Sequence, residues 1–366
     1  MTMKRQLSEA FFRSAVASVP DYQPGKQPAE IEGLEPFKLS SNEHYLPPLP
    51  EVMQALAQPV DPAGYPDPAA TTLICELAAY LEVPQDHLIV GTGASEILTA
   101  LAQVTLEEGT EVVYPWPSFE LYPQVAALNA AVQKPIDLTE DFTHDLSAMA
   151  GAITEHTRLV LLCSPNNPTG PTISEAEFDA FMSKVPADVL VALDEAYWEF
   201  ATDPSAVNGL HALHKYDNLV LVRTFSKAHG LAGLRIGYAV ARPSVIAGLR
   251  KALVPFGVTQ LSQQAALASL GHMEQVMQRA QTIAEARDEF ADALRAQGWN
   301  VPDAQANFVW LPLKELSSAF EDACVAQSLA VRNLNDGVRI SIGPPEAMRR
   351  VLDVAGEFRR RYYPTV

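Results

Sequence analysis

Basic residues are in short supply in this chain. Lys and Arg total 26 against 44 Asp and Glu, a formal net charge of −18 over 366 residues. Nucleic acids and anionic membrane surfaces demand a positive face, so this balance argues against both as partners while leaving room for a local basic pocket. The dense basic cluster near the C-terminus, Arg349, Arg350, Arg359, Arg360 and Arg361, reads as the solvated face of a terminal helix. Cysteine is scarcer still. Cys75, Cys163 and Cys324 are odd in number and lack metal-ligand spacing, which excludes a disulfide framework and fits a reducing cytoplasm. No apolar run approaches a membrane span. Glu9 and Arg13 interrupt the apolar residues at the start, so no secretory segment is expected there and a cytoplasmic protein is.

What is present is ordinary globular material, with 48% hydrophobic and 19% charged residues. The length exceeds one typical core and predicts more than one unit. The first of these, residues 1–50, is an irregular arm with prolines at 20, 24, 28, 36, 47, 48 and 50 and a helix over Leu7–Ser18. Residues 51–255 alternate between helix and strand. Helices are predicted at Thr72–Leu81, from Ala94, at Pro123–Ala130 and at Ser174–Val185. Strands are predicted at His87–Val90, Glu111–Tyr114, Arg158–Cys163, Asp188–Leu193, Asn218–Arg223 and Ile236–Ala241. These strands are continuous apolar runs, the pattern of a largely parallel sheet covered by helices on both faces, hence an α/β fold. Residues 256–366 change texture, with helices at Ser262–Ser269 and Met273–Gln297 and short strands at Asn307–Leu311 and Val338–Ile342. They form a smaller α+β domain, joined by the arm.

Function in such a sheet collects beyond the C-terminal strand ends. Three strands there lead to Asn167 in Ser164–Gly170 (SPNNPTG), Asp194, and Ser226-Lys227. Upstream, Gly91-Thr92-Gly93 turns into a helix whose first amides, on Ala94 and Ser95, face an anion with the favourable end of the helix dipole. Thr224, Ser226 and Arg235 add donors of the kind that grip phosphate. An amine, a buried acid, an amide and an anion cradle together suit pyridoxal phosphate, which needs a lysine for its aldehyde, a carboxylate for its ring nitrogen, and donors for its phenolate and phosphate. Lys227 supplies the first, Asp194 the second, and Asn167 with Tyr197 the third. Read singly, each has a plainer explanation: a surface lysine, a helix cap or ion pair, a glycine turn.

The segments Asn42-Glu43, Tyr65-Pro66-Asp67, SPNNPTG, Asp194–Tyr197 (DEAY), Thr224–Ala239 (TFSKAHGLAGLRIGYA) and Arg339–Gly343 (RISIG) resemble fold-type I aminotransferases that use pyridoxal phosphate. The resemblance is to the branch holding histidinol-phosphate aminotransferases and their aromatic relatives. Ser118–Pro123 (SFELYP) and Gln305–Leu313 (QANFVWLPL) are more similar to the actinobacterial aromatic enzymes. It implies a large domain with a seven-stranded sheet and a homodimer in which Tyr65 reaches the partner's phosphate site. Further implied roles are Phe119 stacking on the cofactor ring, Arg339 with Asn167 clamping the substrate carboxylate, Tyr22 and Arg332 near the substrate side chain, and Asn307 supporting the Arg339 region. Two positions depart from the family pattern, His44 after Asn42-Glu43 and His229, and both read as packing residues. The activity implied is ping-pong transamination of phenylalanine or tyrosine with 2-oxoglutarate, small amino and oxo acids being the partners. Histidinol phosphate as substrate, or decarboxylation or elimination on the same scaffold, are the competing readings. A regulatory module is disfavoured, for the chain lacks a spare basic segment.

Overall fold

The computed structural model describes residues 12–17, 19 and 23–363. Most of the helix expected at Leu7–Ser18 lies outside them, with Ser14–Ala17 helical. In chain order the strands are β1 (Phe37–Lys38), β2 (Leu88–Gly91), β3 (Glu111–Trp116), β4 (Val132–Asp137), β5 (Thr157–Cys163) and β6 (Leu190–Asp194). They continue as β7 (Leu219–Thr224), β8 (Gly237–Ala241), β9 (Phe308–Leu311), β10 (Leu329–Ala330), β11 (Arg332–Asn333) and β12 (Val338–Ser341).

Seven strands form the main sheet in the order β2-β8-β7-β6-β5-β3-β4. All its pairings are parallel except those of β8, which runs antiparallel to both neighbours. Alternation explains why both faces are dry. In β5, Leu159, Leu161 and Cys163 join one apolar cluster, while Val160 and Leu162 point the other way into a second. All six residues of β7 and all five of β8 are buried. The edge strand β4 escapes the apolar-run rule: it reads Val-Gln-Lys-Pro-Ile-Asp, with most side chains exposed or half-buried. Proline is tolerated there because an edge strand leaves one backbone face unpaired.

The C-terminal third builds a second, antiparallel sheet, β11-β12-β9. Residue 37 onward of the arm belongs with it: β1 pairs in parallel with β10, and Ser341 N–H donates to Leu39 O at 3.0 Å. The terminal helix Pro345–Tyr362 carries the arginine cluster, of which Arg360 and Arg361 are exposed as expected. Arg350 is not a solvated residue. It donates to Glu35 O and Gln327 O and lies 5.1 Å over the Phe37 ring, pinning the arm.

Arg287, wholly buried in the long helix Met273–Ala296, ties that helix to the rest. Its guanidinium donates to Phe200 O at 2.8 Å, Ala306 O at 3.2 Å and Thr202 Oγ1 at 3.2 Å. These acceptors flank the loop after β6 and the entry to β9. An apolar replacement leaves buried carbonyls without donors, so Arg287→Met should lower stability by roughly 2–4 kcal/mol. An unchanged urea midpoint would contradict that.

Candidate active site

Past the C-terminal ends of β5, β6 and β7 lies a cavity lined by Asn167, Asp194, Thr224, Ser226 and Lys227. Ala94, Ser95, Phe119, Tyr197, Arg235, Arg332 and Arg339 complete its wall. The sequence expectation thus converges in space for every cavity residue it named except three. Tyr65 is 84% exposed on the surface, stacked on Phe256 at 4.6 Å between centroids. Asn307 is buried one layer back, where its amide donates to Asn42 O at 3.1 Å; what it supports directly is the Asn42 loop. Tyr22 lies outside the described residues. His44 and His229 do not line the cavity; His229 packs with its Nδ1 2.7 Å from Ser269 Oγ. Burial brings His44 down to about 4 and His229 to about 3, so both are neutral packing groups at neutral pH.

Lys227 follows β7 in a short turn, and its Nζ donates to the carbonyls of Ser41 at 3.2 Å and Asn42 at 3.3 Å. Burial, then the positive charge of Arg339, lowers its pKa to about 7; Arg235 adds to the effect while Glu43 and Asp194 oppose it. A large part of the amine is therefore neutral near pH 7, the form that attacks carbonyls and accepts protons. Asp194 ends β6 with 2% exposure. Its oxygens accept from Tyr122 Oη at 3.2 Å and Ala196 N–H at 3.1 Å, both neutral donors. Burial outweighs these bonds and pushes the carboxyl up to about 6. A cationic N–H placed beside it would hold it ionised.

The anion cradle is built at the helix Ala94–Thr105, which opens after Gly93 at φ 89°. Any side chain at Gly93 would also collide with Arg235, whose Nη2 lies 2.7 Å from an ideal Cβ. Gly237 is similarly locked, its would-be Cβ 2.7 Å from Ala94 N. Helix amides, the Thr224 and Ser226 hydroxyls 2.9 Å apart, and the Arg235 guanidinium thus meet with no bulk between them. Such a donor set, beside a reactive amine and a buried acid, fits pyridoxal phosphate, its phosphate at the helix and its ring nitrogen at Asp194. On the substrate side, Arg339 is 6% exposed; it donates to Asn167 Oδ1 and, at 3.0 Å, to Ser40 O. That leaves a planar cation at the cavity wall, suited to a carboxylate.

Three contributors went unrecognised in the sequence as site residues. Tyr122 props Asp194 from 72 residues away. Glu120 takes Arg332 Nη2 on both its oxygens at 2.8 Å. Asn42, at φ 54°, donates to Tyr197 Oη at 3.0 Å while its carbonyl holds Lys227. Both Tyr122 and Glu120 sit inside SFELYP, and Asn42 inside Asn42-Glu43, so the signal was in segments already singled out.

The lysine value has a direct consequence. Because the charged form is disfavoured, the reactive neutral fraction should rise as pH passes upward through about 7, not through the usual 10.5. Stability of the cofactor-free protein shifts in the same sense: the unfolded chain holds this proton up to about 10.5, so the fold gains as pH rises between the two values. Borohydride-trapped incorporation of pyridoxal at Lys227, measured from pH 6 to 10, should follow a midpoint near 7; a midpoint near 10 would refute the assignment.

Comparison with known proteins agrees with this geometry. The family described as aminotransferase class I and II matches residues 35–354. A protein of Streptomyces coelicolor named aromatic amino acid aminotransferase is 46% identical over 350 residues, covering 95% of this chain and 97% of its own. A Thermobifida fusca protein of the same name is 44% identical over 353 residues, covering 96% and 98%. Among solved structures, histidinol-phosphate aminotransferase from Sinorhizobium meliloti in complex with pyridoxal-5'-phosphate superposes with a TM-score of 0.85 at 25% identity, covering 96% of this chain and 98% of that one. With Lys227, the buried Asp194, Arg235 and Arg339 around one cavity, this chain belongs to the class I and II aminotransferases, enzymes that pass an amino group from an amino acid to an oxo acid on pyridoxal phosphate.

Proposed function

We propose that this chain transaminates aromatic amino acids, phenylalanine or tyrosine, with 2-oxoglutarate as amino acceptor. The observation that carries the reaction type is the meeting of Lys227, its pKa lowered to about 7, with Asp194, Arg235 and Arg339 around one cavity. Relatives 42–46% identical over most of the chain, all named aromatic amino acid aminotransferase, carry the substrate class.

When bound, the cofactor supplies a carbonyl to receive the amino group and a conjugated ring to hold the electron pair released at Cα. The chain's own residues do the rest. Arg339 orients the substrate through its carboxylate, with Asn167 holding the guanidinium. Lys227 Nζ takes the Cα proton and later returns one, a task its near-neutral pKa suits. The Asp194 carboxylate, steadied by Tyr122, would hold a proton on the ring nitrogen. Ala94, Ser95, Thr224, Ser226 and Arg235, all lining the cavity, would hold the phosphate, and Phe119 would pack against the ring. Tyr197 and Asn167 serve the phenolate oxygen.

The same proposal includes a division into an arm (1–50), a large domain (51–255) and a small one (256–366). Three separate sheets support it: the seven-stranded one, the three-stranded β11-β12-β9, and β1 paired with β10 of the C-terminal part. It includes a cytoplasmic location. Among the described residues no helix is long and apolar enough to cross a membrane. It also includes a homodimer. Tyr65, Phe256 and Val254 are exposed at 84%, 42% and 66%, an apolar surface suited to a second copy whose phosphate site Tyr65 would complete.

With glutamate as donor, kcat/KM for phenylpyruvate and 4-hydroxyphenylpyruvate should exceed that for imidazole acetol phosphate. Lys227→Ala should lower kcat at least about 10³-fold, as loss of a proton-transfer group does. The reverse order of substrates, or a fully active Lys227→Ala protein, would defeat the reading. Tyr65 is tested by mixing: Tyr65→Phe should weaken cofactor binding roughly tenfold, as loss of one charged-group hydrogen bond does. Mixed dimers of Tyr65→Phe with Lys227→Ala regain one intact site, and tight binding with it. Failure of the mixture to regain it would show that Tyr65 is not shared.

A further inference from the structure

Behind the phosphate end of the cavity, Glu96 makes contacts that the transamination steps do not call on. It stands in the first turn of the helix Ala94–Thr105, and its side chain folds back so that Oε2 accepts from Thr92 N–H at 2.5 Å. Capping by a first-turn acid would account for that bond alone. It does not account for the other oxygen. Oε1 accepts from Val254 N–H at 3.2 Å, from a segment 158 residues further along the chain. That segment leans on the same turn. An ideal Cβ on Gly91 would lie 3.0 Å from Glu96 Oε2 and 3.6 Å from Leu253 Cδ2, and one on Gly257 would lie 3.2 Å from Thr92 Cγ2. One carboxylate therefore bridges two stretches of backbone where glycines let them meet.

An acid in this place has an electrostatic cost, because a negative charge near an anion cradle repels a phosphate. What the carboxylate holds has to explain it. Gly93 N–H is taken by Gly91 O at 2.8 Å and Thr92 N–H by Glu96. The Ala94 and Ser95 amides, on residues at the cavity wall, are then the donors the helix end turns toward an anion. Thr92 O accepts from Arg235 Nη2 at 3.5 Å, so the turn that Glu96 holds also bears on the guanidinium. We propose that Glu96 is a positioning residue for the cofactor's phosphate. By bridging Thr92 and Val254 it sets the Gly91–Gly93 turn so that the Ala94 and Ser95 amides and Arg235 converge on one anion. It acts on the phosphate only through those groups. This rests on the pyridoxal phosphate reading of the cavity and deepens it, naming the residue that aims the phosphate end.

The test sets pyridoxal phosphate against pyridoxal, which lacks the phosphate, on cofactor-free protein. In Glu96→Ala the dissociation constant for pyridoxal phosphate, read by absorbance titration, should rise about tenfold or more, as loss of hydrogen bonds to a charged group does. Borohydride-trapped incorporation of pyridoxal at Lys227 should stay within about twofold of the unaltered protein, since that form makes no demand on the cradle. Glu96→Gln keeps one carbonyl oxygen for one of the two amides, so its loss should fall between the unaltered protein and Glu96→Ala. Equal loss with both forms would reveal a general loosening of the fold, and unchanged binding a helix cap and nothing more. Tighter binding of pyridoxal phosphate in both variants would show that the charge counts and the bridge does not. Each of these three results overturns the proposal. If Glu96→Ala does not fold, Glu96→Gln decides alone: a loss of roughly threefold or more confined to pyridoxal phosphate is expected, and no selective loss overturns the proposal equally. An unaltered protein that binds no pyridoxal phosphate would instead sink the cofactor reading.

Discussion

Everything distinctive here follows from one constraint: ionisable groups must survive in the dry end of a sheet covered on both faces. β5, β6 and β7 bury nearly every side chain, so the first atoms able to act are those just past their C-terminal ends. Asp194 occupies the last residue of β6, and burial drives its carboxyl upward; the same burial drives the Lys227 amine downward. The two groups are shifted toward their neutral forms, in opposite directions, by one cause. A ligand that brings a cationic nitrogen to the acid and a carbonyl to the amine relieves both. The unliganded pocket is therefore matched electrostatically to its cofactor before any contact is made.

Holding that pocket costs stability elsewhere, and the polar network around it offsets the cost. Arg339 is buried yet bonded to Asn167 and to Ser40 O. Below the cavity, Arg223 forms a wholly buried ion pair with Glu195 and lies over the Trp198 ring at 4.2 Å. Such pairs add little stability by themselves, but breaking one leaves an uncompensated charge. They fix where the loops after β6 and β7 can go, and hence where Asp194 and Lys227 point.

How much of this could be read in advance depends on how local each determinant is. The interior strands of the main sheet were legible because each is a run of apolar residues whose burial needs no partner to be named. β4 was not, since an edge strand with Lys134 and Pro135 carries no such run. Lys227, Asp194, Asn167 and Arg235 were legible because each sits in a short segment of unusual composition. Glu120 and Tyr122 were not, because their meaning lies in partners 212 and 72 residues away. Asn307 was expected to support the Arg339 region, but that its amide would reach Asn42 O, in the same loop as the Ser40 carbonyl that takes Arg339, is invisible from spacing alone. Arg350 looked solvated by helical periodicity, yet the arm it pins approaches from 315 residues upstream.

The Asn42 turn shows why the arm is part of the chemistry and not merely a wrapping. Its left-handed backbone, at φ 54°, suits asparagine, which tolerates that region better than most residues. From there the side chain donates to Tyr197 and accepts from Ser341 Oγ, while the carbonyl takes both Asn307 and Lys227. One residue of the arm thus touches the loop after β6, strand β12, the entry to β9 and the Lys227 amine. The choice of acceptor matters. A carboxylate in contact with Nζ would favour the ammonium and return the lysine toward its ordinary value, the direction in which Glu43 already pulls. Two backbone carbonyls position the nitrogen without supplying a full negative charge. The amine is held in place and left free to lose its proton, and a turn contributed from outside the main sheet makes both possible.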